Sequence, residues 1–119
     1  MAKVLVVDDS PTELFQFRDW LVAMGHEVIT AENGRDGVAM AKAERPDVIL
    51  MDIVMPDMNG FQATRLICHT PETSHIPVII VSSKDQETDK VWGERQGAHA
   101  YVTKPVEQRD LVSIMESVL

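Results

Sequence analysis

Cysteine is nearly absent: Cys68 stands alone among 119 residues. No internal disulfide can staple the chain, as fits a reducing cytoplasm. No apolar run is long enough to cross a bilayer, which excludes membrane insertion by a helix. The start, Met1-Ala2-Lys3, runs straight into a strand-like segment, with no signal peptide in view. Basic residues are in the minority, 11 against 19 acids, for a formal net charge of −8. That balance argues against nucleic acid and anionic lipid as partners. Repeats, linkers and low-complexity stretches are missing. So is a glycine-rich phosphate loop after the first strand-like run, where Asp8-Asp9-Ser10-Pro11 would repel a pyrophosphate and so disfavours a nucleotide- or flavin-binding module. What is present is 45% hydrophobic residues, enough for one core in a single domain over residues 1–119.

Apolar runs and helical patterns alternate throughout. Residues 3–8, 27–31, 47–52, 77–82 and 100–103 read as strands, and the runs at 4–7, 48–51 and 78–81 are continuously apolar, as strands covered on both faces are. Amphipathic segments at 11–24, 34–44, 59–68, 85–96 and 107–119 lie between and after them. The last carries Leu111, Ile114, Met115 and Val118 on one helical stripe. Ser10-Pro11-Thr12-Glu13 combines an N-cap, a proline at the first helical position and a capping-box glutamate. Pro46 stops the second helix, and Asn59-Gly60 starts the third. The fourth helix has only Val91 and Trp92 as large apolar anchors and carries Gly93 inside it, where glycine costs about 1 kcal/mol relative to alanine. It is expected to be loosely held. Strands alternating with helices imply an α/β doubly wound parallel sheet with right-handed crossovers, five strands and five helices in all.

In such a sheet, ligands sit at the carboxyl ends of the strands. Asp8 and Asp9 follow the first strand, Asp52 ends the third, Ser82 and Ser83 end the fourth, and Lys104 follows the fifth. Carboxylates brought together repel one another unless a cation or hydrogen bonds compensate. A small acidic cluster suits Mg²⁺, which takes a few protein oxygens and keeps several waters. The plainer reading is that Asp8-Asp9 caps the first helix, but it leaves Asp52 and Lys104 unexplained. Asp52 is open to roles as ligand, base or nucleophile; as a nucleophile on phosphorus it would form an acyl phosphate. The stiff loop Ile53-Val54-Met55-Pro56-Asp57 follows it, and Gly60 allows close backbone approach. Pro105 restricts Lys104 and is a candidate for a cis peptide aiming that side chain inward. Tyr101, the only tyrosine, either packs or faces solvent.

These residues resemble the receiver domain of two-component response regulators over essentially the whole chain. The resemblance implies a flavodoxin-like sheet of order 2-1-3-4-5. It casts Asp52 as the phosphoacceptor for a sensor histidine kinase's phosphohistidine. Asp9, Asp52 and the Val54 backbone carbonyl would bind Mg²⁺, or Mn²⁺ in its place, with Asp8 helping through water. Ser82 and Lys104 would sense the phosphoryl group, and Tyr101 would rotate with the fourth helix as a switch. Val54, Ser83 and Lys84 would modulate the phosphate's lifetime; Ser83 departs from the alanine or glycine usual at its position. The stretch Ile76 to Val81, followed by Lys84 to Gly93, resembles single-domain regulators of the type IV pilus twitching-motility system. That likeness implies a chemotaxis-type kinase and a downstream protein partner on the surface of helix 4, strand 5 and helix 5. It implies a monomer and leaves a phosphorylation-dependent dimer open.

Two alternatives remain. A receiver excised from a larger transcription factor or hybrid kinase would carry the same residues. A haloacid-dehalogenase-like phosphatase would need a second aspartate two residues after the nucleophile, where this chain has Val54. The expected role is therefore a switch catalysing only its own phosphorylation and dephosphorylation.

Overall fold

The apolar runs become the inner strands of one parallel sheet in the computed structural model, which describes residues 1–119. The strands are β1 (Lys3–Val7), β2 (Glu27–Ala31), β3 (Val48–Met51), β4 (Val78–Ser82) and β5 (Ala100–Thr103), in the order β2-β1-β3-β4-β5. The helices are α1 (Pro11–Ala23), α2 (Gly34–Glu44), α3 (Gly60–His69), α4 (Glu87–Gln96) and α5 (Gln108–Val118). The expected order and alternation are both borne out.

Strand alternation divides the core in two. Val4, Val6, Val48, Leu50, Ile79 and Val81 face α1 and α5, meeting Leu14, Phe17, Leu21, Leu111 and Met115. Leu5, Val7, Ile49, Met51 and Val78 face the other way, meeting Ala41 of α2 and Ala63 and Ile67 of α3. Each large aliphatic side chain fully buried this way contributes about 1.5–3 kcal/mol relative to exposure. The anticipated α5 stripe does face the sheet, with Leu111 and Met115 buried and Ile114 and Val118 packed against them.

Two local expectations are overturned. Val91 and Trp92 do not anchor α4; both are exposed, and the helix buries Gly93 and Gln96 instead. A Cβ on Gly93 would lie 2.9 Å from Ile80 Cδ1 and 3.3 Å from Tyr101 Cδ2, so the glycine permits close packing of α4 on the sheet. Nor does Glu13 complete a capping box on α1. Ser10 Oγ accepts from the Glu13 amide and Pro11 opens the helix, but the Ser10 amide donates to Asp8 Oδ1 at 2.9 Å. The Glu13 carboxylate is thereby left for another partner.

Candidate functional site

Backbone pairing continues one step beyond three strands and fixes where the site residues begin. The Asp8 amide donates to Ala31 O, the Asp52 amide to Val7 O and the Lys104 amide to Ser82 O, at 3.1, 2.9 and 2.9 Å. β1 and β3 pair in register with Val7 opposite Met51, so Asp8 and Asp52 leave adjacent strands at the same level. Carboxylate oxygens of Asp8, Asp9 and Asp52 all lie within 4.8 Å of one another. Asp8 and Asp52 are buried, and Asp9 is exposed at the rim.

Gly60 brings α3 against the back of Asp52. Its amide donates to Ile53 O at 2.9 Å. An added Cβ would sit 1.9 Å from Asp52 O, so no other residue fits without moving backbone. Asn59 caps the helix reciprocally with Gln62, and buried Ile53 and Met55 pin the intervening loop. Asp57 adopts a left-handed φ of 70°, which aspartate tolerates better than most residues, and ion-pairs with Arg35.

Lys104 crosses from β5 to these acids. Its Nζ lies 3.0 Å from Asp8 Oδ2 and 3.5 Å from Asp52 Oδ1, and also contacts Glu13 Oε2. The Lys104–Pro105 peptide is cis, as anticipated. Glu13 is the residue that sequence reasoning missed as a member of the site. The available signal was Asp8, two residues before Ser10 and therefore a competitor for the amide that a capping glutamate would take.

Electrostatics follow from this packing. Burial pushes the Asp52 carboxyl above its ordinary 3.8, the Asp8 charge pushes further, and Lys104 pulls back. Burial likewise raises Asp8, against the Ser10 amide and Lys104. For Lys104, burial disfavours the ammonium, but Glu13, Asp8 and Asp52 outweigh it and hold its pKa above 10.5. One cation therefore faces more carboxylates than it neutralises. An all-oxygen set of this size fits Mg²⁺.

The remaining candidates flank the cluster. Ser82 is fully buried, and its Oγ accepts from the Lys84 amide at 3.2 Å. Tyr101 is half-buried and donates its hydroxyl to Lys84 O at 2.6 Å, which answers the open question of its orientation. Val54, Ser83 and Lys84 are exposed.

Residues 4–116 match the family model of the response regulator receiver domain. Protein PilH of Pseudomonas aeruginosa is 60% identical over 119 residues, covering 100% of this chain and 98% of that protein. The chemotaxis response regulator CheY4 of Vibrio cholerae superposes with a TM-score of 0.94 at 33% identity, covering 100% of this chain and 99% of that one. A sensor histidine kinase receiver domain from Pseudomonas aeruginosa, solved with a magnesium ion coordinated in its active-site cleft, gives a TM-score of 0.91 at 26% identity, with 98% and 96% covered.

Proposed function

Because this chain belongs to the response regulator receiver family, we propose that it is a phosphorylation-driven switch with Asp52 as phosphoacceptor. The observation carrying this reading is the convergence of Asp8, Asp9 and Asp52 within 4.8 Å of one another, beside Lys104. An Asp52 carboxylate oxygen attacks the phosphorus of a kinase phosphohistidine. The N–P bond breaks, its electron pair returns to the imidazole, and an aspartyl phosphate forms. Asp8, Asp9, Asp52 and the Val54 carbonyl would hold Mg²⁺, or Mn²⁺ in its place, which supplies charge neutralisation at the reacting oxygens. The relative solved with magnesium in its active-site cleft supports a magnesium site here.

Lys104 and Ser82 then donate to the new phosphoryl oxygens. Ser82 is joined to Lys84, and Lys84 O holds the Tyr101 hydroxyl. A shift at Ser82 thus reaches Tyr101 and, through it, Gly93 of α4. Exposed Val91 and Trp92 on α4 lie on the proposed output face of α4, β5 and α5, where a downstream protein would dock. Val54, Ser83 and Lys84, all exposed, would tune access of attacking water.

The reading extends to a cytoplasmic receiver domain over residues 1–119, monomeric before phosphorylation. It is served by a chemotaxis-type histidine kinase and acts in type IV pilus twitching motility. Similarity to PilH along nearly the full length of that protein supports the pilus reading. Asp52→Asn is expected to abolish labelling by acetyl phosphate in Mg²⁺, followed by mass spectrometry. Labelling of that variant at the normal level overturns the assignment.

A further inference from the structure

An ammonium donates three hydrogen bonds and no more. Three carboxylates already surround Lys104: Asp8 at 3.0 Å, Asp52 at 3.5 Å, and Glu13 in direct contact. Asp8 and Glu13 take two of its N–H groups, and only the one leaning toward Asp52 is left for an incoming phosphoryl oxygen. If Lys104 is to give more than one hydrogen bond to a phosphoryl group on Asp52, as proposed above, a carboxylate must release it.

Burial decides which one. The Asp8 side chain is 3% exposed and would be stranded as a buried anion. Asp52 is 9% exposed and is itself the group that carries the phosphoryl. The Glu13 side chain is 38% exposed, so water can solvate it as it lets go. It rides on the first turn of α1, and the amide it would otherwise have capped is satisfied by Asp8. Nothing in the helix requires its carboxylate.

We infer that Glu13 is a positioning residue, a counter-ion that holds Lys104 on the α1 side of the pocket and competes with the phosphoryl group for it. Glu13 thereby biases the domain toward its unphosphorylated arrangement. Phosphorylation moves the ammonium from Glu13 to the phosphoryl oxygens and frees the glutamate into water. This role rests on Asp52 accepting a phosphoryl group, and it adds a determinant of switching outside the acidic triad.

The test is a double-mutant cycle read by calorimetric titration with beryllofluoride at saturating Mg²⁺. Beryllofluoride stands in for the phosphoryl group, and saturating metal removes any effect of Glu13 on ion affinity. Glu13→Gln keeps the size of the side chain and removes its charge. It is expected to tighten beryllofluoride binding about three- to fivefold, the range of a partly exposed ion pair. In a Lys104→Met background the same change is expected to have no effect, because the competition needs the ammonium. Unchanged or weaker binding in Glu13→Gln overturns the inference. So does equal tightening in both backgrounds, which would reduce Glu13 to plain charge repulsion. In those cases a wild type that binds beryllofluoride leaves the phosphoacceptor reading standing. A wild type that binds none overturns both.

Discussion

Strands β1 and β3 differ sharply from β5 in how they are held. All four residues of β3 are buried, as are Val4 to Val7 of β1, whereas every residue of β5 is only partly buried. The helices beside them differ in the same sense. α3 buries Ala63, Thr64 and Ile67, while α4 buries only Gly93 and Gln96. The acids therefore stand on the fixed half of the sheet, and Lys104, Tyr101 and α4 belong to the half with less packing to lose. Chemistry needs unyielding geometry, and a response needs an element near the low end of local stability.

Two glycines, one in each half, offer the strongest way to break this contrast. In Gly60→Ala the new methyl meets Asp52 backbone at 1.9 Å, and the loop carrying Asp52 must shift. A loss of about 3 kcal/mol or more is expected from urea unfolding, together with weaker phosphorylation. Stability within about 1 kcal/mol of wild type would mean that the acidic half is not rigid.

A second prediction concerns pH. Asp8 and Asp52 both titrate above 3.8 in the folded domain, so the folded chain keeps protons that the unfolded chain has released. Metal-free stability is therefore expected to fall as pH rises from 3.8 through the raised values, then level off. Mg²⁺ binds the ionised acids, so its stabilisation is expected to grow across the same window. Urea midpoints with and without Mg²⁺ check this, and Asp52→Asn should flatten part of the decline. A metal-free midpoint that rises through that window, with no such flattening, would contradict the upward shift of the two buried carboxyls.

The smallest effect is expected at Gly93. An alanine there meets Ile80 Cδ1, the movable tip of a side chain, at 2.9 Å. Helix propensity returns about 1 kcal/mol, so net stability should stay within about 1 kcal/mol of wild type. A loss as large as that of Gly60→Ala would place both halves on an equal footing.

The architecture was legible because strands covered on both faces leave unbroken apolar runs, and because turn and cap residues punctuate them. The limits of β2, α2 and β5 match expectation at both ends, and those of the other elements differ by at most a residue or two. The acidic cluster was legible for a related reason, since strand ends in a parallel sheet point the residues after them toward one edge. Two features escaped. Glu13 fits a local capping grammar, and only Asp8, a rival for the Ser10 amide, marked in the neighbouring sequence that its partner lies elsewhere, 91 positions away. α4 was misread because its contact with the sheet is made where a side chain is missing. Hydrophobicity patterns record methyl groups, and they do not record a glycine whose value lies in the space it leaves.

The ion pair between Lys104 and Asp8 joins residues 96 positions apart. A chain emerging from the ribosome would carry its first acidic residues long before their counter-charge is made. Any fragment ending ahead of β5 would hold an uncompensated anionic cleft, and only synthesis through the final strand closes it. Competence to receive a signal would thus be acquired late, all at once, as a property of the completed molecule.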